Sequence, residues 1–204
     1  MPSPEISAFL QLILRWFHVF AGVIWIGHLY FFNFVNVPFQ GVLEKELKPK
    51  VNPALLLRAL WWFRWGAMWT FLIGWLLFGY VYLHGQGLWD ADGGLSSRGS
   101  WMLVGAILGS IMWFNVWFVI WPSQKRIFGL GVAKAAPEEL PALRARAALF
   151  SKINTYLSGP MLFGMLAATH YSAMNPVTLA VFAGIGLAFV WSAYKISPKV
   201  GKIG

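Results

Sequence analysis

Charged side chains are absent from four long stretches of the chain, residues 16–43, 65–89, 99–124 and 153–194. Each is longer than the ~20 apolar residues that carry a helix across a bilayer. The last is long enough for two crossings and is interrupted by His170-Tyr-Ser-Ala-Met-Asn-Pro176, whose polar and proline content suits a tight turn. Runs such as Phe71-Leu-Ile-Gly-Trp-Leu-Leu-Phe-Gly-Tyr80 lack the alternation of a membrane barrel strand. Helices satisfy their own backbone in lipid, so the pattern predicts an all-α integral membrane bundle of five transmembrane helices. They are expected at about 9–36, 62–84, 101–121, 149–170 and 176–195, in one membrane domain spanning 1–204. The loop 122–148 is the only sizeable piece expected outside the bilayer. Within it, Pro137-Glu-Glu-Leu-Pro-Ala-Leu-Arg-Ala-Arg predicts a short helix feeding the fourth span. The first helix is too long, and too poor in basic residues ahead of it, for a cleaved signal peptide.

Composition supports this class: 58% of residues are hydrophobic, 18% aromatic and only 11% charged, far below the ~25% charged of soluble domains. The net charge of +9 acquires its meaning from position. With five alternating helices, fourteen of the sixteen Lys and Arg fall on the side of the 40–64 and 122–152 segments and of the C-terminus. Arg15 and Arg98 fall on the other. The positive-inside rule then puts the N-terminus outside and the C-terminus in the cytoplasm. The basic excess is explained by topology and by contact with anionic lipid, so no nucleic-acid partner is expected. Cysteine is absent, which excludes disulfides, iron–sulfur clusters, thiolate zinc and covalently attached haem c.

Ionisable side chains inside a span are candidates for function, because lipid penalises them unless something compensates. His18 and His28 lie within the first helix, His84 closes the second and His170 the fourth. The predicted topology gathers His18, His84 and His170 toward the outer half of the bundle. Imidazole is the usual axial ligand of haem b, which needs no cysteine, and bundles place such ligands on facing helices. His18 and His170 are therefore the expected iron ligands, with His84 a further candidate; the alternative is that His18 and His170 merely hydrogen-bond across helices and that His84 is an interfacial polar residue. Gly22, one turn beyond His18, is a candidate opening for a flat macrocycle, and Trp16, Phe17, Phe20 and Trp25 supply aromatic walls. His28 is ~15 Å further along the helix and rotated by ~80°, so it cannot share a haem with His18. It either ligates a second haem or hydrogen-bonds a polar neighbour such as Asn115 or Tyr156. Lys152 and Asn154 could belong to a quinone, propionate or substrate site, or Lys152 could be an interfacial anchor. Gly105 and Gly109 predict one close helix contact, and Pro160 predicts a kink in the fourth helix.

The strings Arg15-Trp-Phe-His-Val-Phe-Ala-Gly-Val-Ile-Trp-Ile-Gly-His-Leu-Tyr-Phe-Phe-Asn-Phe34, Trp62-Phe-Arg-Trp-Gly-Ala-Met68, Asn115-Val-Trp-Phe-Val-Ile-Trp-Pro-Ser-Gln-Lys125 and Asn154-Thr-Tyr-Leu-Ser-Gly-Pro-Met-Leu-Phe163, followed by His170-Tyr171, resemble the membrane domain of bacterial urate hydroxylases. The resemblance implies an inner-membrane oxidoreductase whose fuller members append a C-terminal cytochrome c and pass electrons from urate to the respiratory chain. The present sequence has no haem c motif, so the expected electron acceptor is a separate cytochrome c or another respiratory-chain component. The first helix is also similar to that of the membrane protoporphyrinogen oxidases, which implies haem b ligation by His18. The competing expectations are a non-catalytic membrane subunit, working with other subunits or as a transporter-like bundle, and a protoporphyrinogen oxidase-like enzyme.

Overall fold

A computed structural model describes residues 3–84, 87–171 and 173–201. Five long helices account for nearly all of the described chain: α1 Pro4–Val42, α2 Lys48–His84, α3 Ser97–Phe128, α4 Leu140–His170 and α5 Pro176–Lys199. Apart from them, Trp89 and Leu95 form one isolated bridge in the α2–α3 connection. The expected five helices occur in the expected order, and each starts earlier or ends later than the stretch expected of it. α1, α2, α3 and α5 are each long and apolar enough to cross a membrane. α4 is 31 residues long, but its first half carries Arg144, Arg146 and Lys152, and its middle buries Asn154, Thr155 and Ser158, which lowers its hydrophobicity. The short helix expected ahead of the fourth span is in fact the first turns of α4, and the non-helical part of the 122–148 segment shrinks to 129–139.

Local chemistry sets the helix ends. Ser96 caps α3 by accepting the Gly99 N–H at 2.8 Å, and Gly129 ends it in the left-handed conformation at φ 72°, which glycine adopts without a Cβ penalty. Asn175 and Thr178 form a reciprocal capping box at the start of α5. In the α3–α4 connection, Arg126 pairs with Glu139 at 2.6 Å. That bond, and then the Ala136 N–H, hold the Glu139 carboxyl below its usual range.

Three helices contain a π-helical segment, at Phe31–Asn36, Gly79–His84 and Asn115–Ile120. The first and third each end two residues before a proline, Pro38 and Pro122. A proline within a helix offers no N–H and crowds the carbonyl one turn back, and a widened turn relieves that crowding. For Pro38 the carbonyl one turn back is that of Phe34, and the Ser197 hydroxyl from the end of α5 donates to it. Pro160 is accommodated inside the continuous α4.

The helices meet where glycine removes a side chain, as expected where lipid supplies no hydrophobic drive between helices. A Cβ on Gly164 of α4 would lie 2.9 Å from the Gly105 nitrogen of α3, and one on Gly159 would lie 2.8 Å from the Gly186 carbonyl of α5. Gly105 thus makes the close contact expected of it, whereas Gly109 meets only the Met161 side chain, at 3.9 Å. On α2, Gly66, Thr70 and Gly74 recur in steps of four and face Trp25, Gly22 and His18 of the antiparallel α1. The core between the helices holds Trp25, Leu29, Phe63, Ala67, Met112, Val116 and Met161. Large apolar residues such as Phe17, Val19, Val177 and Phe189 are exposed on the outer faces, the inversion that a membrane protein requires.

Gly164→Ala is expected to destabilise the bundle by about 1–3 kcal/mol, the usual cost of overpacking, whereas Gly184→Ala, where a Cβ meets nothing within 4 Å, should be neutral. Thermal unfolding of both variants in detergent checks this, and equal midpoints would remove the α3–α4 backbone contact as a determinant of stability.

Candidate functional site

A cavity of about 310 Å³ opens between α1, α2, α3 and α4 toward the end of the bundle that holds the start of α1. It is near the lower bound of pockets that take small molecules or cofactors. Its walls are mostly apolar: Trp25, Phe71, Trp75, Phe78 and Tyr82, with the thioethers of Met102, Met161 and Met165. Among the described residues the lining includes three basic side chains, Arg15, His18 and Arg98, and no carboxylate. Arg98 lies over the Tyr82 ring, 5.2 Å from its centroid.

His18 is seated by α2. Its Nδ1 lies 3.0 Å from the Thr70 carbonyl oxygen, and a carbonyl only accepts, so Nδ1 carries a proton and, in the neutral ring, Nε2 keeps the lone pair. Donating Nδ1–H to a backbone carbonyl is the usual way in which a metal-ligating imidazole is oriented. Space for the ring comes from Gly74, where a Cβ would fall 2.8 Å from His18 Cε1. Thr70 is itself tied down, donating its hydroxyl to the Gly66 carbonyl at 2.7 Å. Trp25, two turns along α1, is almost fully buried on the same cavity. Its Nε1 is buried and has no hydrogen-bond partner among the described residues.

The other candidates are placed differently. Gly22 faces the Thr70 methyl at 3.9 Å and serves the α1–α2 contact; the glycine that makes room is Gly74. His84 and His170 are exposed and do not line the cavity. His84 stacks on Tyr80, with ring centroids 6.3 Å apart. Of the three histidines only His18 is part of this cavity's lining. His28 turns back on its own helix, Nδ1 to the Ile24 carbonyl at 2.7 Å, and meets neither Asn115 nor Tyr156. Asn115 instead donates to Asn154 Oδ1 at 2.8 Å, and Asn154 donates to the Met112 carbonyl at 2.9 Å. Asn154 is thus a fully buried structural bridge between α3 and α4. Lys152 lies 5.5 Å from the Tyr194 ring centroid and lines a second, larger cavity at the opposite end. Among the described residues no three His, Cys, Asp or Glu side chains gather as a metal cage, so the first cavity offers one imidazole. Thr70 and Gly74 escaped the reading of the sequence, although the small residues at 66, 70 and 74 were a signal for a close helix face.

Fold and cavity together define a helical membrane protein with a single oriented imidazole in an apolar, arginine-rimmed pocket. The family model described as urate oxidase N-terminal matches residues 87–194, more than half of the chain, and the protein belongs to that family. The match covers α3, α4 and most of α5; α1, with His18, and α2 lie outside it. Comparison with curated proteins and with solved structures finds no match.

Gly74→Ala should displace the His18 imidazole from the Thr70 carbonyl. Carbethoxylation by diethyl pyrocarbonate, mapped by mass spectrometry, is expected to rise several-fold at His18 and to stay constant at His170. Unchanged labelling of His18 would show that residue 74 does not hold the ring.

Proposed function

We propose that this protein is the membrane electron-transfer module of a urate hydroxylase-like oxidoreductase, holding haem b in the cavity through His18. The observation that carries the reading is the orientation of His18: Nδ1–H on the Thr70 carbonyl and Nε2 left with its lone pair in a largely apolar space. The residues present suit the group. Aromatic and methionine side chains suit a flat macrocycle, and Arg15 and Arg98 suit two propionate carboxylates through charge-assisted hydrogen bonds. Met102, Met161 and Met165 are the other soft donors on the wall, while His170 stands outside it. When bound, haem b supplies a reversible one-electron iron couple. The chain's own contribution is to orient the imidazole, exclude water with a mostly apolar wall, and balance acidic groups with two arginines.

Family membership supports oxidation of a urate-type substrate as the reaction served. In this reading all five helices cross the inner membrane, with α4 shielded by its neighbours and the N-terminus outside. The His18 cavity then lies toward the outer face, where a separate cytochrome c would collect electrons.

Protein purified after expression with ample haem should give a b-type pyridine haemochrome and a b-type reduced-minus-oxidised spectrum. His18→Ala should abolish both, with the unfolding midpoint showing that the bundle persists. His84→Ala and His170→Ala should retain them. A haem-free wild-type preparation would overturn the reading in favour of a non-catalytic membrane subunit.

A further inference from the structure

The second cavity, about 950 Å³, lies at the end of the bundle opposite His18. Five cationic side chains line it, Lys45, Lys48, Lys134, Arg144 and Lys152, and among the described residues no carboxylate does. The carboxylates of the neighbouring connections, Glu44, Glu46, Glu138 and Glu139, all fall outside the lining, and Glu139 is committed to Arg126. Like charges facing one space raise one another's energy unless an anion enters. We propose that this cavity is a binding site for a phosphate-bearing ligand.

The rest of the lining is built to leave those cations available. On its floor the Tyr194 hydroxyl donates to Asn33 Oδ1 at 2.8 Å, and Asn33 Nδ2 donates to Ser151 Oγ at 2.8 Å and to the Leu29 carbonyl at 2.9 Å. These groups satisfy one another across α1, α4 and α5. On the wall, Gln40 and Asn52 exchange amide hydrogen bonds at 2.8 and 3.1 Å, bracing the end of α1 against the start of α2. Such bracing lowers the ordering cost of binding. Lys152 is held over the Tyr194 ring, above that floor.

Five positive charges exceed what a singly charged organic anion needs, whereas a phosphate ester carries up to about two negative charges and several acceptor oxygens. Arg144 suits bidentate phosphate contact and the lysines suit point-charge contact. The concave space admits a headgroup or a small ester. Two sources share this chemistry, an acidic phospholipid headgroup and a soluble phosphate ester.

The full chain in neutral detergent is titrated calorimetrically with inorganic pyrophosphate, and in nanodiscs of phosphatidylcholine its retention of added phosphatidylglycerol is measured by native mass spectrometry. The triple variant Lys45→Gln, Lys134→Gln, Arg144→Gln changes exposed lining positions. The control Lys50→Gln, Arg58→Gln, Arg146→Gln removes equal charge from exposed residues of the same end outside the cavity. Unfolding midpoints of both should match the wild type. Saturable binding of at least one probe is expected, weakened about tenfold or more in the lining variant, the scale of one lost charge-assisted hydrogen bond, and unchanged in the control. Binding of pyrophosphate alone assigns the soluble source, and binding of phosphatidylglycerol alone assigns the lipid. Failure of both probes, or equal loss in the two triples, would reduce the cavity to a diffuse basic surface and overturn the proposal.

Discussion

The arrangement of the bundle rests on backbones brought together where side chains are missing. In lipid the outward faces gain nothing by burial against one another, so helices associate through close packing and a few polar bonds. The α1–α2 pair shows this most directly. Three positions of α2, spaced by four, meet three of α1: Gly66 against the Trp25 backbone, Thr70 against Gly22, and Gly74 against the His18 ring. One register therefore sets the helix separation, the depth of Trp25 and the seat of the imidazole. The same constraint recurs at Gly105 with Gly164 and at Gly159 with Gly186, which tie α3 to α4 and α4 to α5.

Polar groups do the complementary work. Buried amides and hydroxyls without partners are expensive in a low-dielectric interior, and here they are joined in pairs across helices. Asn115 and Asn154 link α3 to α4, Tyr30 and Ser158 link α1 to α4 at 2.9 Å, and Asn33 and Tyr194 link α1 to α5. α4 supplies a partner to two of these three bonds. Its polar middle makes it the least hydrophobic of the five helices and also the one against which α1, α3 and α5 all pack. The π-helical turns ahead of Pro38 and Pro122 belong to the same accounting, because each proline removes one donor from a backbone that cannot turn to water.

Helix number and order were legible because charge-free length is a direct consequence of bilayer thickness, and no tertiary detail is needed to see it. The ends were less legible. Arg58, Arg64, Arg144 and Lys125 mark where apolar character stops, but the helical backbone continues through all of them, since charged residues with good helix propensity do not break a helix. His18 stood out as an ionisable group within an apolar run. His84 and His170 do not share its cavity lining; a histidine at a helix end is placed by the last turn and by rotation about the axis, neither of which sequence spacing fixes across different helices. Thr70 and Gly74 stayed hidden for a related reason: their role is to present a carbonyl and an empty place, properties of the backbone that no side chain advertises.

The His18 cavity is composite with respect to the family match. Residues within 87–194 supply Arg98, Met102, Ala106, Gly109, Ser110, Met161, Met165, Leu166 and Thr169 to its wall, while the imidazole, its carbonyl anchor and the aromatic lining come from α1 and α2. The matched part by itself offers an arginine and soft thioether donors but no imidazole on this space. The seat of the imidazole is consequently decided by the α1–α2 register laid against a scaffold that the matched segment provides. Because that register depends on the absence of a Cβ at Gly74 and on the Thr70 carbonyl, the determinants of an imidazole site here include two residues on the helix that faces the histidine.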